Sequence, residues 1–316
     1  PPTTHIYTNA ESSAASDVYK RQPQGNELIF KTHGFTYDGT DDIAEAERKG
    51  DEALVAKKKA FWADVAEVAK LEGNAAAGEA GYGMCMGCHN GANMNMGGVI
   101  PPNLDHAGAI YDKNYLIAVI KDPAMASNVD HKYADTVMHP MGSIKSMMTD
   151  NQQIADVVAY MLEHKAGEVT PKEAYVEACV RCHAMRYDKL TQLGETPAFK
   201  YEKDALAHKI KVIEEQDLVK AYMGKLPPDL SMIIRARGSH FMETFIANPQ
   251  GQLAGTSMPR VGLNQEGYDK VEAYLTEIGD PSKVKREAIG PWVIGFFFIF
   301  SILAFLWKKH QWRDLH

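Results

Sequence analysis

The sequence predicts a mainly α-helical protein with two similar domains in tandem and one membrane-spanning helix near its C-terminal end. Three observations support this prediction. A set of short motifs occurs twice in the same order, amphipathic segments typical of helices close each copy, and a long uncharged segment lies near the end of the chain. The length of 316 residues fits about two domains with additional segments. The net charge of −7 and the lack of a basic stripe argue against nucleic-acid binding.

All four cysteines lie in two copies of the pattern C-x-x-C-H, at residues 85–89 (CMGCH) and 179–183 (CVRCH). This pattern is the attachment signature of a c-type haem: two thiols at this spacing bind the vinyl groups of one haem, and the histidine binds its iron. A redox disulfide or half of a zinc site is the alternative. A redox motif does not require the histidine, and although a zinc site can use it, the same pattern found twice with no cysteine outside it favours haem. We therefore predict two covalently bound haem c groups, held by Cys85, Cys88 and His89 and by Cys179, Cys182 and His183.

The two copies continue in parallel after each cysteine motif. Each contains Pro-Pro-x-Leu, then Thr-x-Met, then an amphipathic segment with Ala-Tyr. This order is typical of class I cytochrome c domains, in which a small set of helices surrounds one haem with little sheet. We predict a first domain at residues 41–166 and a second at 167–285. The predicted helices lie within 41–71 and at 151–163, 173–182 and 266–278, and the glycine-rich stretch 73–83 leads into the first cysteine motif.

A methionine thioether is the usual sixth ligand of electron-transfer cytochromes c. In the second half Met258, which precedes a proline, is the candidate. In the first half Met138 aligns with Met258 and is favoured, Met141 is the alternative, and His139 would instead give a bis-histidine iron. No catalytic residue is predicted, because six-coordinate iron has no free position for a substrate. The predicted iron ligands are His89, Met138, His183 and Met258.

The segment from residue 288 to 307 contains no charged residue and is long enough for a helix to cross ~30 Å of hydrocarbon. Trp292 and Trp307 stand near its ends, as interfacial aromatic residues do. We predict an anchor at 286–308 and a tail at 309–316 in the cytoplasm or matrix, because basic residues follow the segment. Basic residues before it weaken this asymmetry, and a buried core helix is the alternative.

Residues 1–40 are predicted to be a leader without a recognisable signal peptide. Residues 12–22 (SSAASDVYKRQ) are identical to a peptide translated from a common sequencing-library adapter, so residues up to about 22 are predicted to be an artefact. A natural, disordered polar leader is the alternative. The chain lacks an initial methionine and is expected to be processed or incomplete.

The second half resembles cytochrome c1, the haem subunit of the quinol–cytochrome c reductase (bc1) complex, over residues 170–316. The segments that carry the resemblance are 175–187 (YVEACVRCHAMRY), 226–237 (LPPDLSMIIRAR), 248–258 (NPQGQLAGTSM), 308–316 (KKHQWRDLH) and, more weakly, 33–39 (HGFTYDG). The resemblance implies that His183 and Met258 bind iron and that Arg237 pairs with a haem propionate. Cytochrome c1 ordinarily carries one haem, so the additional domain predicts a di-haem form.

The resemblance also implies partners and a location. The expected partners are cytochrome b, a Rieske iron–sulfur protein, and cytochrome c or a terminal oxidase, within a dimeric complex that is the enzyme. Electrons are expected to pass from the Rieske protein to the haem at His183 and then to the haem at His89. We expect a bacterial inner membrane with the haem domains in the periplasm, or a mitochondrial inner membrane facing the intermembrane space. The alternatives are a di-haem subunit of a terminal oxidase and a di-haem peroxidase.

Overall fold

The computed structural model describes residues 35–91, 98–133, 139–164 and 167–313. Within these ranges the fold is mainly helical, as predicted, with one small antiparallel sheet. The α-helices are α1 (Thr40–Lys49), α2 (Glu52–Lys70), α3 (Ala75–Cys85), α4 (Ala107–Ile110), α5 (Lys113–Lys121), α6 (Pro123–Ala126), α7 (Ile144–Met147), α8 (Asn151–Glu163), α9 (Pro171–Tyr175), α10 (Glu202–Met223), α11 (Ile233–Arg237), α12 (Ser239–Ala247), α13 (Pro249–Gln252), α14 (Gln265–Gly279) and α15 (Lys283–Gln311). A π-helix (Val176–Val180), a 3-10 helix (Arg186–Asp188) and the strands β1 (Leu190–Thr191) and β2 (Gly194–Glu195) complete the fold.

Side-chain caps explain where several helices begin. The predicted helix at 151–163 is confirmed by α8, whose first N–H groups include one bonded to the Asp150 carboxylate. The predicted helix at 266–278 is confirmed by α14, which begins one residue earlier because Asn264 caps it. Asp51, Asn74 and Asp112 cap α2, α3 and α5 in the same way. Short polar residues in the sequence therefore set these boundaries locally.

Two predicted segments differ from the structure. The helix-rich stretch 41–71 is divided into α1 and α2, because Gly50 adopts a φ of 71° that ends α1. The predicted helix at 173–182 is not one α-helix, since α9 gives way to the π-helix just before the second cysteine motif. Single-turn π-helical segments are common at functional sites. The glycine-rich stretch 73–83 forms most of α3.

The helix before each cysteine motif packs against the helix that closes the same half. In the first half α3 crosses α8 so closely that a Cβ on Gly78 would lie 2.0 Å from the Asp156 carbonyl oxygen. In the second half α9 packs against α14, with the rings of Tyr175 and Tyr274 4.8 Å apart. The two halves therefore use the same helix pairing around their cysteine motifs.

A continuous hydrophobic core joins the two halves. Tyr111 and Leu263 form an antiparallel bridge across the join. The N–H of Asp112 donates to the Gly262 carbonyl at 3.0 Å, and the N–H of Asn264 donates to the Ile110 carbonyl at 2.9 Å. The predicted domain boundary at residue 166 separates the sequence repeats, whereas the packing continues across it.

The last part of the predicted leader belongs to the packed fold. Phe35 is buried and stacks on Tyr268 with ring centroids 4.8 Å apart. Tyr37 is also buried, and its hydroxyl donates to the Leu263 carbonyl at 2.9 Å. The N-terminal segment therefore packs against the C-terminal half. The adapter-like residues 12–22 lie outside the described residues.

Helix α15 contains the predicted anchor 286–308 and extends it by three residues at each end. Its 29 residues include an apolar window with a mean hydropathy of 2.3, and none of that window is buried within the described fold. Trp292 and Trp307 are both exposed. The alternative of a buried core helix is therefore wrong, and α15 is long and apolar enough to cross a membrane.

The glycines of α3 provide a test of the α3–α8 crossing. Gly78→Ala is expected to destabilise the protein by about 1–3 kcal/mol, because the new methyl group would overlap the α8 backbone. Gly83→Ala on the same helix is the matched control, since a Cβ there meets no atom within 4 Å. The control should be neutral or stabilising by up to about 1 kcal/mol. Urea unfolding in detergent followed by circular dichroism measures both, and equal effects would contradict this packing.

Candidate functional site

The first cysteine motif lies at the C-terminal end of α3. Cys85 ends the helix, and the N–H of His89 donates to the Cys85 carbonyl at 2.9 Å, so the motif forms a compact turn. The Nδ1 atom of His89 lies 2.7 Å from the Pro102 carbonyl oxygen. Because a carbonyl only accepts, Nδ1 carries the proton and donates it. The Nε2 atom of the neutral ring is then left with a lone pair for a metal.

The second motif repeats this geometry. The N–H of His183 donates to the Cys179 carbonyl at 2.9 Å, and its Nδ1 donates to the Pro228 carbonyl at 2.8 Å. Pro102 and Pro228 are the second prolines of the two Pro-Pro-x-Leu motifs. The repeated prolines thus orient each histidine through a backbone carbonyl, which is the usual outer partner of a metal-binding histidine.

Both motifs face one cavity of about 300 Å³. Its lining is mostly apolar and includes Cys85, Cys88 and His89 from the first motif. Arg181 and Cys182 of the second motif line the same cavity. The structure therefore brings together two motifs that are about ninety residues apart in the sequence.

The environment of three cysteines argues against a reactive redox pair. Burial raises the pKa of Cys85 and Cys182 and raises that of Cys179 to about 12, which favours the thiol form. Reactive cysteines instead have lowered pKa values. Among the described residues no group of three or more His, Cys, Asp and Glu side chains could hold a metal ion.

These observations fit a haem better than any other group. A haem is a large apolar ring that needs an apolar cavity, a pair of thiols at its edge and an imidazole nitrogen at its iron. The cavity supplies the apolar walls, Cys85 and Cys88 supply the thiols, and His89 offers Nε2.

The three candidates for the sixth iron ligand in the first half differ in their position relative to the cavity. Met138 lies outside the described residues, whereas Met141 lines the cavity. His139 also lines it, but its Nδ1 accepts the Met141 N–H at 3.1 Å. Its proton is then on Nε2, so neither ring nitrogen has a free lone pair. This geometry disfavours the bis-histidine alternative.

In the second half Met258 is partly buried against the hydrophobic core, and its N–H donates to the Thr256 hydroxyl at 3.3 Å. The Thr-x-Met motif therefore forms a local turn that holds this methionine. Arg237 ends α11 at the surface, and its guanidinium lies 5.3 Å from the centroid of the Phe241 ring. Neither residue lines the 300 Å³ cavity.

Two arginines that the sequence analysis did not select line the cavity. Arg181 is one of the variable residues of the second motif. Arg260 is 4% exposed and forms an ion pair through both terminal nitrogens with buried Asp42. For Arg260, the only feature of the sequence that pointed to the site was its position two residues after the predicted iron ligand Met258. Its pairing with Asp42, 218 residues away, has no local signature.

A buried acid–base pair also joins the two halves. Glu177 of the π-helix is 6% exposed, and its Oε2 lies 3.2 Å from Nδ1 of His106. The other oxygen, Oε1, has no hydrogen-bond partner within the described part of the chain. Burial raises the pKa of Glu177 to about 8. This carboxyl is therefore mostly protonated at neutral pH.

Comparison with known proteins agrees with the cavity geometry. Residues 75–165, which include the first cysteine motif and α8, match the family model described as cytochrome c. The chain contains a cytochrome c domain. This family implies a covalently bound haem c, and cytochrome c-type electron transfer is the general function of the chain. The match covers part of the first half of the chain only.

Two curated relatives are similar over most of their own length. The ammonia monooxygenase gamma subunit of Nitrosomonas europaea is 27% identical over 195 residues, covering 46% of this chain and 81% of that protein. Cytochrome c1 of Allochromatium vinosum is 24% identical over 204 residues, covering 45% of this chain and 82% of that protein. Among solved structures, a hyperthermophilic respiratory Complex III chain is 24% identical over 46% of this chain and 75% of that chain, with a TM-score of 0.32.

The Glu177 carboxyl predicts a pH-dependent stability. Its pKa is higher in the folded protein than in the unfolded chain, so the folded state binds more protons between about pH 5 and 8 and loses stability as the pH rises. Glu177→Gln lacks this titration. The stability of the wild type relative to this variant should fall by at most about 1.4 kcal/mol per pH unit.

Urea unfolding at pH 5.5, 7.0 and 8.5 measures the effect. Glu163→Gln is the control, because Glu163 is exposed at the end of α8. A difference between wild type and Glu177→Gln that does not change with pH would contradict the buried, protonated carboxyl.

Proposed function

We propose that this protein is a membrane-anchored di-haem electron-transfer subunit of a quinol–cytochrome c reductase. It would accept electrons from a Rieske iron–sulfur protein and pass them through a second haem to a cytochrome c or a terminal oxidase. One observation carries the proposal: the two cysteine motifs have the same histidine–proline geometry and face one cavity. A carrier with a single haem does not require a second cysteine motif beside the same cavity.

The proposed haem sites follow the two halves of the chain. The first haem is attached through Cys85 and Cys88, with His89 as one axial ligand. Met138 is the favoured second ligand, and Met141 is the alternative that lines the cavity. The second haem is attached through Cys179 and Cys182, with His183 and Met258 as axial ligands and Arg237 toward a propionate.

A haem bound at each motif supplies a one-electron iron couple, and the protein supplies the route between the two. The second half is joined directly to the anchor, since α14 ends at Gly279 and α15 begins at Lys283. This short connection supports the second haem as the one nearer the membrane complex and as the first acceptor. Cys182 and Cys88 line the same cavity, which favours direct transfer to the first haem.

The proposed setting is a bacterial inner membrane, with the haem domains in the periplasm and the tail in the cytoplasm. The exposed apolar surface of α15 supports an anchor. Weak similarity to a cytochrome c1 supports cytochrome b and a Rieske protein as partners in a dimeric complex. The name of the other relative, an ammonia monooxygenase subunit, indicates that a different electron donor must be tested.

Quinol-driven reduction tests this function. In membranes that contain the protein, quinol should reduce two c-type haems per chain, and an inhibitor of the quinol-oxidation site should slow that reduction at least tenfold. Haem absorbance gives the rate, and the mass of the purified chain gives the haem number. Reduction of both haems that the inhibitor does not affect would instead favour the di-haem subunit of a terminal oxidase or another donor.

The sixth ligand of the first haem has its own test. Met138→Ala should remove the methionine–iron charge-transfer band of one ferric haem and lower its reduction potential, because a thioether favours ferrous iron. Met141→Ala, three residues before α7, is the matched control and should leave the band intact. The reverse result would assign Met141. Met258→Ala should remove the corresponding band of the other haem.

A further inference from the structure

One part of the cavity contains hydrogen-bond donors that have no acceptor. Tyr111 and Arg260 line the cavity, and the Tyr111 hydroxyl and the Arg260 Nε are buried and have no hydrogen-bond partner among the described residues. Arg181 lines the same cavity and makes no side-chain hydrogen bond or ion pair within the described ranges. Buried polar groups of this kind are rare in folded proteins and indicate a missing partner.

The three donors are grouped around Tyr115. The ring of Tyr115 lies 6.4 Å from that of Tyr111, and its hydroxyl donates to the Arg260 carbonyl at 3.0 Å. Burial raises the pKa of Tyr115, and the nearby charges of Arg181 and Arg260 both oppose this rise. The donors therefore converge on one region of the cavity.

The charge of this region is not balanced by the protein. Asp42 takes both terminal nitrogens of Arg260, which leaves no carboxylate for Arg181. Glu177 lies one turn before Arg181, but burial raises its pKa to about 8, so it is mostly neutral at pH 7. An unpaired guanidinium in apolar surroundings has a high free-energy cost, and a bound anion would remove that cost. A carboxylate can accept hydrogen bonds from two guanidiniums and a hydroxyl, and each haem carries two of them as propionates.

We propose that Arg181, Arg260 and Tyr111 bind a propionate carboxylate of the haem attached at Cys85 and Cys88. This inference rests on the proposed di-haem function. The haem of Arg181's own motif is excluded, because the vinyl groups and the propionates lie on opposite edges of the ring. A residue between two vinyl-binding cysteines therefore faces away from the propionates of its own haem.

The consequence is that the second half of the chain completes the binding site of the first haem. Two of the three donors come from the second half, and one of them lies inside the second cysteine motif. The Arg181 cation disfavours the additional positive charge of ferric iron, so it raises the reduction potential of the first haem. The potential of one haem thus depends on a residue attached to the other.

The test is Arg181→Gln in the full-length membrane protein. The reduction equilibrium constant of one haem should fall at least tenfold, which is 59 mV for a one-electron couple. The reduction potential of that haem should also become pH-dependent between pH 6 and 8. The reason is that the propionate loses its neighbouring cation, so the pKa of the propionate rises. The other haem should not change. Arg181→Lys keeps the charge and should restore most of the potential.

Two further variants make the result specific. Arg186→Gln makes the same change of charge at an 81% exposed side chain and should leave both potentials unchanged. Tyr111→Phe removes one donor and should shift the same haem in the same direction by a smaller amount. The affected haem is identified as the one that is absent from a Cys85→Ser/Cys88→Ser variant.

The outcomes separate this inference from the proposed function. A wild-type mass with only one haem would overturn the proposed function itself. Two haems with potentials that Arg181→Gln leaves unchanged, or a shift confined to the haem at Cys179 and Cys182, would overturn the propionate assignment alone. If the Arg181→Gln protein fails to take up haem, Tyr111→Phe tests the propionate assignment instead. A propionate bending mode in the resonance Raman spectrum that is the same in wild type and Tyr111→Phe would then overturn the assignment.

Discussion

The cavity depends on the backbone join between residues 260–264 and the first half of the chain. Arg260 donates its N–H to the Ser127 carbonyl at 3.0 Å, and its own carbonyl accepts the Tyr115 hydroxyl. Gly262 and Asn264 continue the join on either side of the bridge between Tyr111 and Leu263. These bonds are buried and non-local, so breaking one leaves polar groups without water or a partner. The join therefore holds the second cysteine motif beside the first.

The buried ion pair of Asp42 and Arg260 reinforces this join and also constrains it. Bringing two charges out of water is expensive, and the pair repays that cost only while both partners are present and well oriented. Here the two carboxylate oxygens meet both terminal nitrogens of the guanidinium. The pair connects α1, near the N-terminal end of the described fold, to the loop after Met258. It is a specific contact that fixes which surfaces of the two halves meet.

The two halves position the histidine of the cysteine motif in the same way. In each, a helix leads into the cysteine motif, a compact turn places the histidine, and the carbonyl of the second proline of Pro-Pro-x-Leu accepts a hydrogen bond from the histidine Nδ1. The proline carbonyl sets the tautomer and leaves Nε2 for a metal. The helix pairs are also similar, because the rings of Tyr82 in α3 and Tyr160 in α8 lie 4.9 Å apart, as those of Tyr175 and Tyr274 lie 4.8 Å apart. The tyrosine of each repeated Ala-Tyr motif therefore packs against the helix that leads into the cysteine motif.

The sequence alone determined the features that depend on neighbouring residues. The cysteine motifs, the capped helix α8 and the uncharged segment of α15 are all recognisable within about twenty residues, because helix caps, haem attachment and membrane insertion are set by local spacing and composition. Tertiary structure decided the rest. The division of the stretch 41–71 at Gly50 and the change from α9 to a π-helix depend on backbone conformations that several sequences can adopt.

The site itself shows the same division. The histidines and cysteines were predictable because haem attachment requires a fixed spacing. In contrast, Arg260 pairs with Asp42, and Arg181 lines the cavity beside the first cysteine motif, so these contacts join residues about one hundred or more positions apart. No periodicity or motif links such residues, because their contact exists only after both halves have packed. The sequence by itself determined which chemistry each half carries, and the tertiary structure decided that both halves share one cavity.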